Sequence, residues 1–194
     1  LSIFGYDPLE YEIGRGAMEA LGVDFELGPG DVAARGNFCA VGPDGRVTDR
    51  RAGRLPTESS RELARILRQI RIEGCAFFVE PIKEHRFAFV MRGEGLSEQL
   101  SDSDPLKIGV APLPVTALCP DAERTASFAN QFVAEAGKRL AGCMPANMIM
   151  LRGFARLPVL PGYAEQFGLR AAAVAVNGMY RGVARMVGMT VLPI

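Results

Sequence analysis

Short apolar segments bounded by glycine and proline recur along this chain of 194 residues, and their order limits the folds open to it. Val32–Val41 and residues 46–49 flank a Gly-Pro-Asp-Gly turn at 42–45, a pattern that predicts a β-hairpin. Residues 121–140 repeat apolar side chains at helical spacing and predict an amphipathic helix. Such a helix buries one face against another layer, so a layered fold is expected.

The remaining elements follow from the same periodicities. Residues 169–176 are almost wholly apolar, which predicts a strand buried on both faces, and the helix that follows at 178–187 is expected to pack back on it. This closing unit is typical of a doubly wound sheet, whereas the front half is rich in hairpins. We therefore predict an α/β fold with α+β character in the front half, built as a mixed β-sheet with flanking helices. Further helices are expected at 14–21, from 56 to 70 and around 163–167, and further strands at 76–79, 87–91 and 147–151.

Charge and composition argue against several classes of partner. Basic and acidic side chains number 22 each, so no net field would attract nucleic acid or a membrane surface. No apolar run of roughly 18 residues is present to span a bilayer. The four cysteines lack Cys-x-x-Cys spacing and only one histidine is present, so no complete zinc site is expected. Free thiols in a reducing cytoplasm are predicted.

Arginine is concentrated in polar segments broken by glycine. The guanidinium group presents a rigid fork of donors that matches the oxygens of a carboxylate or phosphate, so these segments predict a small anionic ligand. Two other interpretations stay open: a GC-rich genome also enriches arginine, and charged hairpin residues often form a solvated strand edge. The candidate residues in the first two segments are Arg35, Asn37, Arg51 and Arg54.

The third and fourth segments centre on His85, Arg86 and Arg92. His85 is the only histidine, and it is either structural or able to donate to a phosphoryl group or transfer a proton. Arg86 and Arg92 are six positions apart, which places both on one face of a straight strand. Arg92 also precedes a glycine-containing loop, a common position for a binding group.

An acidic segment at 101–105, Ser-Asp-Ser-Asp-Pro, follows closely. It is either an ordinary Asx turn or a place where Asp102 and Asp104 hold ligand hydroxyls, orient the arginines or reach a metal. Two aspartates alone do not make a magnesium site. The sequence contains no nucleophile elbow, phosphate-binding P-loop or dinucleotide fingerprint. Arg152-Gly153 and Asn177-Gly178 are weaker candidates.

Several segments, in order, resemble one known family. The chain is similar to the archaeal-type cofactor-independent phosphoglycerate mutases, also labelled phosphonopyruvate decarboxylase-related, of the alkaline phosphatase superfamily. Three positions depart from the pattern of that family: Gly36, Phe87 and Leu106. The departure at Leu106 puts in question a functional role for the end of the acidic loop at 101–105. The matching segments are LSIFGYDP (1–8), GRGAMEALG (14–22), PGDVAARGNF (29–38), DRRAGR (49–54), HR (85–86), RGEGLS (92–97), SDSDP (101–105) and LRG (151–153).

The resemblance implies an architecture and a reaction. It implies a metal-bearing α/β core, here residues 1–12 and 156–194, into which a substrate-binding domain, residues 13–155, is inserted. The implied reaction interconverts 3-phosphoglycerate and 2-phosphoglycerate, in glycolysis and gluconeogenesis, through a phosphoserine intermediate and two divalent metal ions (Mn, Mg or Zn). The nucleophilic serine would lie upstream of Leu1 and the metal ligands outside the chain. The fragment alone is therefore expected to be inactive and metal-free.

The resemblance also implies a role for each candidate side chain. The arginines would clamp the phosphate and carboxylate of phosphoglycerate, and Asn37 would bond a hydroxyl. His85 and Asp102 or Asp104 would orient groups or exchange protons. Alternatives are a related enzyme acting on another phosphorylated or phosphonylated small acid, or a non-catalytic anion-binding module. The clamp implied by the resemblance comprises Arg35, Arg51, Arg54, Arg86 and Arg92.

Overall fold

The computed structural model describes residues 1–11 and 13–193, so Glu12 and Ile194, the predicted ends of the two core segments, lie outside the described residues. Helices and strands appear close to where the sequence predicts them. The helices are α1 (Arg15–Gly22), α2 (Thr57–Leu67), α3 (Glu123–Leu140), α4 (Tyr163–Phe167) and α5 (Gly178–Met186). The strands are β1 (Val32–Val41), β2 (Val47–Asp49), β3 (Ala76–Lys83), β4 (Arg86–Arg92), β5 (Met148–Ala155), β6 (Ala172–Ala173) and β7 (Thr190–Val191).

A five-stranded antiparallel sheet forms the centre of the molecule. Its order is β2-β1-β4-β3, and β5 lies beside β1 on the edge that β2 continues. The β1–β4 register runs from Val32 opposite Met91 to Asn37 opposite Arg86. The predicted hairpin between β1 and β2 is present, and the α/β prediction of a sheet flanked by helices is confirmed.

One face of the sheet forms the main apolar core beneath α2 and α3. Side chains of a strand alternate between faces, so Val32, Ala34 and Phe38 of β1 point into this core together. The predicted amphipathic helix is α3, and its Phe132 packs on Phe89 of β4 with ring centroids 4.6 Å apart. Burial of each such phenylalanine contributes about 1.5–3 kcal/mol.

The opposite face carries α1, whose backbone lies directly on β1. A Cβ added to Gly16 would lie 2.1 Å from the carbonyl oxygen of Ala33, so only glycine permits this approach. Ala17 and Ala20 complete the contact and are fully buried. Arg35 also points to this face, because its position alternates with the core-facing positions of β1.

The carboxyl-terminal segment differs from the prediction. Residues 169–176 were expected to form a strand buried on both faces, but β6 spans two residues and pairs, among the described residues, only with β7. Val174 and Val176 are 70% and 87% exposed. An apolar run is buried only where neighbouring strands cover it, and β7 supplies a single parallel partner.

Helix α5 packs chiefly against α1 rather than back on β6. A Cβ on Gly182 would lie 2.0 Å from the carbonyl oxygen of Met18, so these two helix backbones touch. Asn177, named above as a weaker candidate, caps α5, since its Oδ1 accepts a hydrogen bond from the backbone N–H of Met179 at 2.9 Å. Among the described helices, none has both the length and the apolarity to cross a bilayer.

Candidate functional site

Sheet register brings polar side chains together at one end of the face that carries α1. Asn37 of β1 lies opposite Arg86 of β4, and Arg35 lies opposite Arg152 of β5. These positions alternate with core residues, so their side chains leave the apolar core on the same side. Asn37 is buried, and its Oδ1 has no hydrogen-bond partner among the described residues.

Arg35 lies in the middle of several cations. Burial lowers its pKa, Glu19 opposes that shift, and the charges of Arg86, Arg15 and Arg152 lower the pKa further. The side chain is 14% exposed, and its Nε lies 3.7 Å from Oε1 of Glu19 without forming a hydrogen bond to any described residue. A partly buried guanidinium among like charges is a strong site for an anion.

His85 is held by the tight turn between β3 and β4. Its carbonyl oxygen accepts a hydrogen bond from the backbone N–H of Phe38 at 2.8 Å. The preceding Glu84 has a φ of 53°, and its N–H donates to Oγ1 of Thr57 at 3.1 Å. The first residue of α2 therefore fixes the turn that carries the histidine.

The imidazole of His85 is neutral at pH 7. Burial, followed by the charges of Arg86 and Arg35, lowers its pKa from 6.5 to about 4, while Glu84 acts in the opposite direction and Arg51 adds to the lowering. His85 is 7% exposed, and its Nδ1 has no hydrogen-bond partner in the described part of the chain. A neutral imidazole can both donate and accept a hydrogen bond.

The turn after β2 carries Arg51, an exposed residue whose charge adds to the lowering of the pKa of His85. The carboxylate of Asp49 accepts hydrogen bonds from the backbone N–H of Arg51 at 2.8 Å and of Gly53 at 2.6 Å. Residues 52–54 all have positive φ, so the chain reverses sharply here. Arg54 lies in the same turn with an exposed side chain.

Asp104 organises two arginines of the site. Its carboxylate accepts hydrogen bonds from Nε and Nη2 of Arg50 at 2.9 and 2.8 Å, and Nη1 of Arg152 lies 3.7 Å away. Burial alone would raise the pKa of Asp104, but the hydrogen bonds from Arg50 and from the backbone of Leu106, with the charge of Arg152, hold it below its ordinary value. Asp104 is therefore ionised and acts on the arginines.

Asp102 holds the backbone of β5. Its Oδ1 accepts a hydrogen bond from the N–H of Gly153 at 2.7 Å, where a φ of 65° marks the irregular register of β5 against β1. This contact favours an orienting role for the acidic segment, one of the alternatives that the sequence left open. Asp102 fixes the backbone next to Arg152, and Asp104 contacts its side chain.

The structure does not bring Arg92 into this cluster. Arg86 and Arg92 stand at opposite ends of β4, about 20 Å apart along the strand. Arg92 Nε and Nη2 donate to the buried carboxylate of Asp31 at 2.8 and 2.6 Å, and the guanidinium lies over the rings of Phe25 and Phe78. Arg92 is therefore held in a structural ion pair.

Sequence reasoning missed two members of the cluster, Arg15 and Glu19 of α1, and rated Arg152 as a weak candidate. Arg15 and Glu19 are four positions apart and so share one face of the helix. That spacing was visible in the sequence, but the docking of α1 across β1 and β5 was not. Only this docking turns the helix face towards Arg35.

The cluster combines guanidinium donors with one neutral imidazole, a chemistry suited to holding an anion. Cys39 shares the face of Arg35, but burial raises the pKa of its thiol to about 12, so it is not a thiolate. The described residues contain no group of three or more histidine, cysteine, aspartate or glutamate side chains able to hold a metal ion.

Comparisons with known proteins agree on one family. Residues 1–145 match the profile of the 2,3-bisphosphoglycerate-independent phosphoglycerate mutases. Two relatives named as probable members of this family, from Thermus thermophilus and Deinococcus radiodurans, are 42% and 43% identical over the whole chain, which covers 48% of each. The chain thus spans about half the length of these curated relatives.

Solved structures give the same answer for the fold. A cofactor-independent phosphoglycerate mutase from Thermoplasma acidophilum matches all of the chain with a TM-score of 0.77 and 33% identity, and the match covers 56% of that protein. A protein from Pyrococcus horikoshii shares the fold, with a TM-score of 0.73 at 24% identity over 99% of this chain and 45% of its own length. On the profile match and these identities, the chain belongs to the 2,3-bisphosphoglycerate-independent phosphoglycerate mutase family.

Proposed function

We propose that this chain is the substrate-binding part of a phosphoglycerate mutase that interconverts 3-phosphoglycerate and 2-phosphoglycerate. Family membership supports the reaction class, and the polar cluster beneath α1 supports the role. The observation that carries the proposal is the pair of buried guanidinium nitrogens, Nε of Arg35 and Nε of Arg86, which have no hydrogen-bond partner among the described residues. Buried donors of this kind are costly unless a ligand satisfies them.

The clamp that we propose contains Arg35, Arg86 and Arg51, with Arg54 in the same turn. Phosphoglycerate carries a phosphate and a carboxylate, and each matches a guanidinium fork. The mutual repulsion of these cations falls when an anion binds between them, which adds to the affinity. Asn37 would then bond a hydroxyl of the glycerate.

His85 would act on the glycerate as a neutral group. Its Nδ1, which has no hydrogen-bond partner among the described residues, feels the charges of the clamp arginines and would exchange a proton with a hydroxyl while the glycerate stays bound. Asp102 and Asp104 would orient, because each already holds protein groups through hydrogen bonds. The clamp acts by positioning, which lets the glycerate turn over between two phosphorylation positions without leaving.

The covalent chemistry belongs, in this proposal, to parts of the full-length protein beyond the chain. Residues 13–155 would form the inserted domain, and residues 1–12 and 156–194 would join the α/β core. A serine upstream of Leu1 would carry the phosphoryl group, and two divalent metal ions would be held outside the chain and supply charge stabilisation when bound. Closure of the clamp on the core would exclude water from the phosphoserine in a cytoplasmic, glycolytic enzyme.

The test is turnover of 3-phosphoglycerate by the full-length protein with manganese, followed by a coupled assay for 2-phosphoglycerate. We expect activity, and we expect Arg86→Ala to weaken binding of 3-phosphoglycerate at least about 10-fold. Arg61→Ala is the matched control, since Arg61 forms an exposed ion pair with Glu58 on α2.

The outcomes separate the alternatives. Turnover of a different phosphorylated or phosphonylated acid, with none of phosphoglycerate, would assign the site to a related enzyme. If the metal-loaded full-length protein bound 3-phosphoglycerate without turning it over, the chain would be a non-catalytic anion-binding module. Equal effects of the two arginine substitutions would remove Arg86 from the clamp.

A further inference from the structure

A buried carboxylate lies inside the arginine cluster. Glu19 is 4% exposed on α1, and its Oε1 approaches Nε of Arg35 to 3.7 Å. A buried glutamate is rare unless it is paired, and an acid inside a site for an anion opposes the ligand. Its presence there therefore calls for a role other than attraction of the substrate.

The backbone holds Glu19 in a fixed position against β1. A Cβ on Gly14 would lie 2.0 Å from the Cβ of Ala155, and one on Gly16 would lie 2.1 Å from the carbonyl oxygen of Ala33. The turn of α1 that precedes Glu19 is thus in direct contact with both strands that flank the site. The backbone of Glu19 therefore cannot shift away from β1 unless the helix is displaced, and its side chain is almost completely enclosed.

Glu19 is also the only acid that acts appreciably on Arg35 among the described residues. The other charges that act on this guanidinium are the cations Arg86, Arg15 and Arg152. Repulsion from three sides would turn a flexible arginine away from them, towards solvent. One fixed carboxylate on the Nε side opposes that displacement.

We propose that Glu19 is the positioning residue of the clamp: its carboxylate, 3.7 Å from Nε of Arg35, holds the guanidinium in place by charge attraction without accepting a hydrogen bond from it, so the N–H donors of Arg35 remain for the substrate. This inference rests on the proposed function. It assigns Glu19 no contact with the substrate and no proton transfer. The benefit is a fixed geometry of Arg35 as the glycerate reorients, because small displacements of a positioning group lower the rate strongly.

Because Glu19 is charged, its substitution can act on the substrate in two ways, by changing the charge of the site or by releasing Arg35, and these two effects can be distinguished. Removal of a negative charge from the site favours binding of an anion, so a charge effect alone predicts tighter binding and an unchanged kcat. Loss of positioning predicts a lower kcat. The two effects therefore differ in how kcat and the dissociation constant change.

The experiment uses the full-length, metal-loaded protein and 3-phosphoglycerate. We expect Glu19→Gln to lower kcat about 10-fold or more, with a dissociation constant that is equal to or tighter than that of the wild type. Glu135→Gln is the control, because Glu135 pairs with Arg139 on the outside of α3. It should leave both quantities unchanged.

A double-substitution cycle identifies the route of the effect. If Glu19 acts through Arg35, Glu19→Gln should have no further effect on kcat in the Arg35→Ala protein. An additive loss would overturn the inference. Glu19→Asp keeps the charge but retracts it by one methylene and should also lower kcat, which preserves the test if Glu19→Gln does not fold. An Asp variant with wild-type kcat would overturn the proposal.

Failure of this inference and failure of the proposed function give different results. A wild-type protein without phosphoglycerate turnover would overturn the proposed function. A wild type that is active and impaired by Arg35→Ala, but unaffected by Glu19→Gln, would overturn only the role of Glu19.

Discussion

Arg50 donates two parallel hydrogen bonds to Asp104, at 2.9 and 2.8 Å, and the carboxylate that receives them is completely shielded from solvent. This bidentate pair joins the turn after β2 to the acidic loop, 54 residues later in the chain. Because Arg152 also approaches Asp104, a single carboxylate aligns two elements at the arginine cluster. Its loss should therefore affect both stability and the site.

We expect Asp104→Asn to destabilise the protein by about 2 kcal/mol, since it removes a charge-assisted bidentate contact and leaves the guanidinium of Arg50 with a weaker partner. Urea denaturation at pH 7 measures the change. Asp44→Asn is the control, because Asp44 and Arg46 form an exposed pair, and should stay within about 0.5 kcal/mol of the wild type. Equal effects would contradict the structural role of Asp104.

The same pair predicts a dependence of stability on pH. The pKa of Asp104 in the folded protein is lowered from its ordinary value of 3.8. Its contribution is therefore present above the unfolded pKa and lost as the pH falls through the lower folded pKa. The stability difference between wild type and Asp104→Asn should be constant from pH 7 to about pH 5 and shrink in stronger acid.

His85 should not take up a proton until the pH is well below neutral. Its pKa is lowered to about 4 in the folded protein, whereas an unfolded histidine titrates near 6.5. The unfolded chain thus binds more protons between these values, and stability should fall with decreasing pH by at most about 1.4 kcal/mol per pH unit in this window.

NMR gives a direct reading of that histidine, because His85 is the only imidazole in the chain. We expect its ring resonances to stay constant from pH 8 to about pH 5. Addition of 3-phosphoglycerate should raise the midpoint of titration, since a bound anion stabilises the protonated form. A ligand-free midpoint near 6.5 would contradict the electrostatic description of the site.

Arg86 and Arg92 should respond differently to truncation, although they share one strand. Arg86→Ala removes a guanidinium of the clamp whose Nε has no hydrogen-bond partner among the described residues, and it should weaken binding of 3-phosphoglycerate by at least about 10-fold. Arg92→Ala breaks the ion pair with Asp31 and should lower the melting temperature without changing the affinity. Calorimetric titration with 3-phosphoglycerate and thermal unfolding of both variants test this. A loss of affinity in Arg92→Ala would show that Arg92 belongs to the binding site.

Gly16→Ala should be strongly destabilising. The new Cβ would lie 2.1 Å from the carbonyl oxygen of Ala33, so α1 must shift away from β1, at about 2–3 kcal/mol. Gly30→Ala is the matched control, because nothing lies within 4 Å of a Cβ at that position. Chemical denaturation of the two variants compares them, and similar midpoints would show that α1 is not closely packed.

Periodicity in the sequence predicted the local elements well. The Gly-Pro-Asp-Gly turn after Val32–Val41 identified β1 as one strand of a hairpin, and the helical spacing of residues 121–140 identified α3 to within two residues. Both signals are local, so they can be read without knowing the partner. The prediction of a buried strand at 169–176 was wrong for the opposite reason. Burial of that run depends on neighbouring strands, which the sequence pattern does not reveal.

The candidate site was predictable in part. The strand position of Arg35 and the crowding of arginines at positions 50–54 are local features, so the sequence indicated them. Arg92 lies outside the site because it pairs with Asp31, 61 residues away along the chain. Glu19 lies inside the site because α1 docks on β1 and places it next to Arg35. Tertiary contacts of this kind leave no mark in a local pattern.

The glycine contacts of α1 have a consequence for how this molecule can change. Gly16 seats the helix on β1, and Gly182 seats α5 on the helix, each with no room for a methyl group. At both contacts backbone lies directly against backbone, so no flexible side chain can absorb a displacement. A substitution that strains either contact should therefore move α1 as a rigid body. Substitutions in α5 should therefore reach the arginine cluster through backbone contact alone, and the segment after residue 156 and the anion site are expected to evolve together.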